Sequence, residues 1–256
     1  MAMTSEAYDL IVSLGGNCSA ASQMRMRGLR FFSLPFDWLF MEDTRPIEYL
    51  ANGFENGFSD FMLKENLVLH NDDWQGGVAK YKYKDTHTGF CFIHHFHKSI
   101  DEPGGYEAAA SVMRHRINRL MSKIGLSSRI LLILTTDFPF DVALAEKMIA
   151  KIRSQYPDKE IDFHMMQFGV VFDDPAIAGR KFVGMPFTGG LYSRAKSTYD
   201  LEKTSAEWAF LDEITLSGHS IPTIDGINKF RYKIWKSLST RFLNAGFALK
   251  GVSFRS

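Results

Sequence analysis

The first element that the hydrophobic pattern predicts is a buried strand near the start of the chain. Residues Tyr8–Leu14 form a short apolar run with β-branched members, and the run breaks at Gly15-Gly16. Such a run followed by a glycine turn is typical of a strand that leaves the interior of a sheet. Asn17 then stands at the N-cap position of a helix predicted over Ser19–Arg27. The chain therefore opens as strand, glycine turn and helix.

The middle of the chain predicts a parallel sheet. Arg129–Thr135 is almost uniformly apolar, as central parallel strands are. A helix is predicted over Asp141–Gln155 and a strand over Ile161–Phe168, and this strand–helix–strand order implies a right-handed crossover between parallel strands. Alternation over Val78–Tyr83 and Gly89–Phe96 predicts a hairpin. We therefore expect an α/β fold, a three-layer α/β/α arrangement with a mostly parallel central sheet and a β-hairpin excursion.

Several further elements are predicted with less distinct patterns. Helical spacing or composition indicates helices over Thr44–Asn52, Phe58–Lys64, Tyr106–Ile124, Glu202–Ile214 and Ile227–Ala245, and Lys181–Met185 is a further short strand. No repeat or low-complexity linker interrupts the sequence. We expect residues 1–256 to form a single α/β domain, in which about 200–256 could be a helical extension.

Composition excludes some function classes. Lys plus Arg number 30 and Asp plus Glu 29, so the formal charge of +1 gives no broad positive field for nucleic acid. No segment has the length of a transmembrane span, and no signal peptide is recognisable. Two cysteines, Cys18 and Cys91, favour a reduced, cytoplasmic protein. The 22 Phe residues indicate a dense core or an aromatic-lined cleft, and the oligomeric state stays open.

Cys18 is the candidate nucleophile. It lies where the first strand turns into the first helix, and the unpaired N–H groups and partial positive charge of a helix N-terminus stabilise a thiolate. Gly15 and Gly16 would let a substrate approach the backbone, and N–H groups over Asn17–Ser19 could stabilise an oxyanion. The alternative is that Cys18 is a small buried residue in a tight turn.

Three clustered histidines could supply the base. Strict strand alternation would place His95 and His97 on one face and His94 on the other. His94 or His95 could then take the proton of a cysteine nucleophile, although partly exposed strand histidines are an equally simple interpretation. A zinc site built on His95 and His97 lacks an evident third ligand nearby, although Asp72, Asp73, His70 or His164 could supply one from elsewhere, and no metal site is predicted.

Asp37, Trp38 and Arg114 complete the candidate set. Asp37 lies in an apolar stretch and is expected to pair, with an arginine such as Arg30 or with a histidine that it orients. Trp38 belongs to an aromatic segment that could line a binding cleft. Arg114 leads a basic helix flank, together with Arg116 and Arg119, that is either solvated or able to bind phosphate.

The order of these motifs resembles a known family. Ser13-Leu14-Gly15-Gly16-Asn17-Cys18, then Gly28-Leu29-Arg30, then Pro35-Phe36-Asp37-Trp38 are similar to the opening motifs of a bacterial family of unknown function, the "putative papain-like cysteine peptidases" of DUF1796. Phe92-Ile93-His94-His95-Phe96 resembles a later motif of that family, with His95 in place of an acid. The resemblance implies Cys18 as nucleophile, His94 as base and Asp37 near the site.

A looser similarity suggests a second function. Gly16-Asn17-Cys18 is similar to a motif of cysteine-containing capsule-biosynthesis acyltransferases, which implies coenzyme A as a cofactor held by arginines. We therefore expect a cysteine hydrolase or acyl-transfer enzyme acting on a small-molecule, glycan or peptide substrate. The alternatives are a coenzyme A-dependent acyltransferase in polysaccharide biosynthesis and a non-catalytic saccharide- or nucleotide-binding module.

Overall fold

The computed structural model describes residues 6–70, 81–136, 142–168, 181–182, 185–186, 188–190 and 208–217. These residues all fall within a compact unit that spans residues 1–220. The single domain through residue 256 and the helix over Ile227–Ala245 reach beyond the described residues and stay predictions.

The described part of the chain contains four helices and twelve short strands. The helices are α1 (Ser19–Met26), α2 (Arg45–Asn56), α3 (Gly105–Leu126) and α4 (Val142–Gln155), with 3₁₀ helices at Lys64–Asn66 and Ala209–Glu213. The strands are β1 (Glu6–Tyr8), β2 (Leu10–Ser13), β3 (Leu39–Met41), β4 (Leu67–Leu69), β5 (Tyr81–Asp85), β6 (Phe90–Phe96), β7 (Arg129–Thr136), β8 (Glu160–Phe168), β9 (Lys181–Phe182), β10 (Met185–Pro186), β11 (Thr188–Gly190) and β12 (Ile214–Leu216). None of these helices combines the length and hydropathy that a membrane span requires.

A parallel sheet is the centre of the fold. Its strand order is β11, β8, β7, β2, and every neighbouring pair is parallel. The predicted strand–helix–strand unit is confirmed as β7, α4 and β8. Alternate residues of β7 enter the two hydrophobic clusters on opposite sides of the sheet, so both faces of the strand are buried, which is why its sequence is a continuous apolar run.

Alternating residues of β2 enter different hydrophobic clusters. Leu10 and Val12 join the larger cluster, to which α2, α3 and α4 contribute, whereas Ile11 joins the smaller one with Ala20 and Met24 of α1. Apolar side chains thus pack on both faces of the parallel sheet, and the α/β class is confirmed. The three-layer arrangement itself stays a prediction.

The predicted hairpin is part of a larger antiparallel sheet. β5 and β6 pair as expected, but β3 and β4 extend them into the order β3, β6, β5, β4. An isolated parallel bridge joins Gly16 to Phe40 of β3, and the N–H of Met41 lies 3.4 Å from the carbonyl oxygen of Gly16. The glycine turn after β2 therefore contacts the antiparallel sheet.

Phenylalanine rings fill the core beside this junction. Phe36 lies 5.1 Å from Phe58 edge to face and 5.6 Å from Phe90 in a stacked arrangement, measured between ring centroids. Phe61 contacts Phe90 edge to face at 5.7 Å. Such pairs stabilise a core beyond the area they bury. The high phenylalanine content thus corresponds to a dense aromatic core.

One predicted helix is wrong, and another differs in the part that the structure describes. No helix spans Phe58–Lys64, because α2 runs on to Asn56, Gly57 ends it in the left-handed region, and Phe58 and Met62 also have positive φ angles. In the described part of Glu202–Ile214, a 3₁₀ helix leads into β12, which pairs with β1. In both places turn geometry and strand pairing override a local helical pattern.

Candidate functional site

The Gly-Gly turn closes tightly around Thr135 of β7. Gly15 and Gly16 have φ angles of 92° and 97°, and the hydroxyl of Thr135 donates to the carbonyl oxygen of Gly15 at 2.8 Å. A Cβ placed on Gly16 would lie 1.4 Å from the carbonyl oxygen of Thr135. Only glycine fits at this close approach, so the backbone that leads into α1 is fixed against the carboxyl end of the neighbouring strand.

Cys18, and not Asn17 as predicted, is the N-cap residue of α1, and it is 2% exposed. The side chain of Asn17 is buried before it, and its Oδ1 accepts hydrogen bonds from the Ser19 N–H at 2.9 Å and the Thr135 hydroxyl at 3.2 Å. The Ser19 N–H is thus already engaged and is not among the donors open to an oxyanion. The thiol lies where the N-terminal end of the helix favours negative charge, as the sequence predicts.

Asp37 is a buried anchor for the aromatic loop. Its Oδ2 accepts from the Arg30 Nε at 2.8 Å and from the backbone N–H of Leu34 at 2.7 Å. Burial raises the pKa of Asp37, although the charge of Arg30 and the Leu34 hydrogen bond act in the opposite direction. The Arg30 guanidinium also lies 5.5 Å above the Trp38 ring. Of the two roles that the sequence left open, the pairing with Arg30 is the one observed.

The three histidines do not follow strict alternation. The pairing of β5 with β6 shifts register between Tyr81 and Tyr83, so β6 is irregular where the histidines lie. His94, His95 and His97 consequently all line one cavity of about 470 Å³ against α3, which corrects the prediction of opposite faces. The same cavity is lined by Lys98 and Arg116. No carboxylate is found among its described lining residues, so it suits an anionic group.

His94 and His95 are neutral at neutral pH. Burial lowers the pKa of His94, whose ring meets Trp38 edge to face at 6.1 Å. Burial lowers the pKa of His95 to about 3, with a further contribution from the charge of Arg116. Among the described residues, Nε2 of His94 has no hydrogen-bond partner. This nitrogen is buried, so a neutral imidazole could act there as a general base once a substrate or a water reaches it.

We expect stability to fall as the pH drops below about 6.5. Burial also lowers the pKa of His164 to about 4, so at pH 5 the unfolded chain binds protons that His95 and His164 do not bind in the folded state. Each of these histidines then lowers the free energy of unfolding by about 2 kcal/mol between pH 7 and pH 5, because its pKa in the folded state lies below the unfolded value. Urea unfolding at both pH values measures this loss. His95→Gln and His164→Gln should each remove about half of it, and an unchanged pH dependence in both would contradict the assignment.

Arg114 does not join the histidines. It lines a separate cavity of about 220 Å³, with Phe58 and Tyr106, on another face of α3. Arg116 is the arginine of this helix that reaches the histidine cavity, where its Nη1 lies 3.5 Å from Nε2 of His95. Two residues of helix separate the two arginines by about 200°, so they face different surroundings.

Cys18 and Nε2 of His94 are not hydrogen-bonded to each other, because that nitrogen has no hydrogen-bond partner in the described part of the chain. The strand register relates the two positions. Gly16 bridges to Phe40 and Phe40 pairs with Cys91, whereas His94 lies three residues further along β6, in the irregular part of that strand. The turn is thus in register with Cys91 and not with His94.

Two features outside the predicted site are not marked by local sequence patterns. In the sequence Thr135 ends an apolar run, and Cys91 lies in a predicted strand. Glu42, His70 and Cys91 nevertheless offer ligand atoms that all lie within 4.8 Å of one another. Both cysteines are buried and neither forms a disulfide. Only the pairing of β3, β4, β5 and β6 brings these side chains together, and no local sequence pattern signals it.

Comparisons with known proteins give a family. No solved structure matches the chain significantly. A curated relative, "Uncharacterized protein R408" of Acanthamoeba polyphaga mimivirus, is 33% identical over 102 residues, which are 36% of this chain and 45% of that protein. The chain thus spans less than half of the length of this relative. Because the relative is viral, it gives no support for a bacterial source. Residues 9–172 match the family "Putative papain-like cysteine peptidase (DUF1796)". Because this match covers more than half of the 256 residues, the chain belongs to the DUF1796 family.

Proposed function

We propose that this protein is a cysteine hydrolase or acyl-transfer enzyme in which Cys18 is the nucleophile. The observation that carries the proposal is the position of Cys18 at the N-terminus of α1, in a turn that Gly16 and Thr135 hold at the carboxyl edge of the parallel sheet. Backbone N–H groups and the helix dipole at such a position favour a thiolate. Membership of a family described as cysteine peptidases supports the same chemistry.

The reaction would proceed through a thioester. The base takes the proton of the Cys18 thiol, the thiolate attacks a carbonyl carbon, a C–S bond forms, and the carbonyl electron pair moves to the oxygen, where backbone N–H groups stabilise it. The intermediate collapses, the bond to the leaving amine or alcohol breaks, and the leaving group takes a proton from the base. Water then hydrolyses the thioester, or an acceptor hydroxyl takes the acyl group.

His94 is the proposed base. Its pKa is lowered by burial, so the imidazole is neutral at pH 7, and its Nε2 makes no hydrogen bond within the described residues. Since the register separates it from the turn, proton transfer requires a bridging water or substrate hydroxyl, or closure of the site around substrate. The cavity that His94 lines also carries the cationic side chains of Lys98 and Arg116, which favours substrates with a carboxylate or phosphate near the scissile bond.

We expect His94→Ala to lower kcat/KM for activated ester substrates by about 100-fold or more, because a general base contributes that much. The acidic limb of the pH–rate profile should disappear with it. His115→Ala is the matched control, since His115 is exposed on α3 and lines neither cavity. If His94→Ala keeps the full rate and His70→Ala loses it, the base is His70 and this assignment is wrong.

The same cationic lining supports one second candidate, coenzyme A-dependent acyl transfer. Arg116 and Lys98 would bind phosphate groups of the cofactor. Calorimetric titration with coenzyme A separates the candidates. Binding that Arg116→Ala weakens would favour the transferase, whereas acyl-donor hydrolysis without coenzyme A binding would favour the hydrolase.

A further inference from the structure

We propose that Glu42, His70 and Cys91 form a binding site for a thiophilic divalent cation of the Zn²⁺ class. Their ligand atoms lie within 4.8 Å of one another on the antiparallel sheet. The site does not depend on the proposed hydrolase, since none of its three residues takes part in the mechanism above.

The strand register places the three residues on one face of the sheet. Val68 pairs with Lys84, Lys84 pairs with Cys91, and Cys91 pairs with Phe40, so these four form one row across the four strands. Residues that pair across strands share a face, and so do residues two apart along a strand. His70 is two residues beyond Val68, and Glu42 is two residues beyond Phe40. Glu42 and His70 therefore lie on the same face of the sheet as Cys91, offset from it in opposite directions along the strands, and their side chains bridge that offset.

The donor set fits zinc. A thiolate, an imidazole and a carboxylate are all zinc ligands, and three protein ligands leave a fourth position for water or another molecule. Ligand atoms of a tetrahedral zinc ion lie about 3.3–3.6 Å apart, so the widest separation in the cluster must shorten by up to about an ångström, while the contact between Glu42 and His70 must open slightly. Cys91 is 2% exposed and fixed in β6, whereas the side chains of Glu42 and His70 are 40% and 21% exposed and can make this adjustment.

The neighbouring charges leave one carboxylate oxygen directed at the cluster. Nζ of Lys84 lies 2.6 Å from Oε2 of Glu42 and holds that oxygen, while Oε1 lies 2.8 Å from Nε2 of His70. A cation between Oε1 and Nε2 needs only a small opening of this contact. On binding, the Cys91 thiol releases its proton to solvent as the metal–sulfur bond forms. Lys84 would then orient Glu42 from outside the coordination shell.

The test is titration of the chelator-treated protein with Co²⁺, followed by the near-ultraviolet charge-transfer band of a Co²⁺–thiolate bond. We expect one equivalent to bind, and Zn²⁺ to displace it. Cys91→Ser should abolish the band, and Glu42→Gln and His70→Ala should each weaken binding at least tenfold. His87→Ala is the matched control, because His87 also lies beside a carboxylate, 2.9 Å from Asp60, with no cysteine in the cluster.

Two results would overturn the site. One is a wild-type protein that gives no thiolate band. The other is a band that survives Cys91→Ser and disappears in Cys18→Ser, which would place the sulfur ligand in the glycine turn. If a variant does not fold, the unaltered protein gives the answer. Zn²⁺ should then slow alkylation of the Cys91 peptide at least tenfold, and equal alkylation with and without Zn²⁺ contradicts the proposal.

Discussion

Replacing Gly16 with alanine is expected to destabilise the protein by roughly 4 kcal/mol or more. The new Cβ would lie 1.4 Å from the carbonyl oxygen of Thr135 and 2.4 Å from its carbonyl carbon. Both atoms belong to the backbone of a buried strand and cannot move aside as a flexible side chain would. The positive φ of 97° adds a second cost, because an L side chain disfavours that region. Urea unfolding of the purified variant measures the loss.

Gly28→Ala is the matched control for this substitution. Gly28 also has a positive φ, 71°, but a Cβ there meets no atom within 4 Å. Gly28→Ala should therefore lower the free energy of unfolding only by the cost of placing an L residue at positive φ, about 1–2 kcal/mol. Equal losses in the two variants would mean that the turn is not held against Thr135 as the structure has it.

Cys18→Ala is expected to lower thiol-dependent turnover of acyl substrates by at least about 1000-fold, as removal of a catalytic nucleophile does. The fold should be nearly unaffected, because alanine fits the space of a buried cysteine and the N-cap makes no side-chain capping hydrogen bond. The measurement is steady-state hydrolysis of a series of activated esters and thioesters, together with thermal unfolding of the variant.

Ser22→Ala controls for effects of α1 itself. Ser22 lies one turn after Cys18, and its backbone N–H donates to the Cys18 carbonyl at 3.0 Å whatever its side chain. We expect this variant to keep the wild-type rate. Loss of activity in both variants, or in neither, would remove the support for Cys18 as nucleophile.

Long, strongly patterned elements could be predicted from the sequence. The apolar run of β7 and the helical spacing of α3 and α4 give each element its type and nearly its bounds. The three-residue strands β3 and β4 could not be predicted, because they become strands only by pairing with β5 and β6. The helix predicted over Phe58–Lys64 is wrong because Phe58 and Met62 adopt positive φ angles, which leave no local sign in the apolar pattern.

The candidate site was predictable where its chemistry is local. The strand, the glycine turn and the helix start place Cys18 at the beginning of α1, and all three lie within about twenty residues of sequence, although the sequence put the N-cap one residue early, at Asn17. The histidines were predictable as a cluster, but not their shared cavity, because that follows from a register shift between β5 and β6. The choice of Arg114 failed for a similar reason, since only the packing of α3 decides that Arg116 reaches His95.

Contacts between distant segments could not be predicted from the sequence. Thr135 fixes the turn 120 residues earlier in the chain through its hydroxyl and its carbonyl oxygen. The cluster of Glu42, His70 and Cys91 depends on four strands in register. Each of these residues has an ordinary local context, so its role follows only from the tertiary pairing.

The most direct test of the central claim is to identify the residue that an acyl donor modifies. The protein is incubated with an activated acyl ester, quenched in acid and digested, and the Cys18 and Cys91 peptides are quantified separately by mass spectrometry. We expect a thioester on Cys18 that forms in a burst, reaches one acyl group per chain and is released by hydroxylamine. A label on Cys91 instead, or no label on either cysteine while the substrate is still hydrolysed, would contradict it.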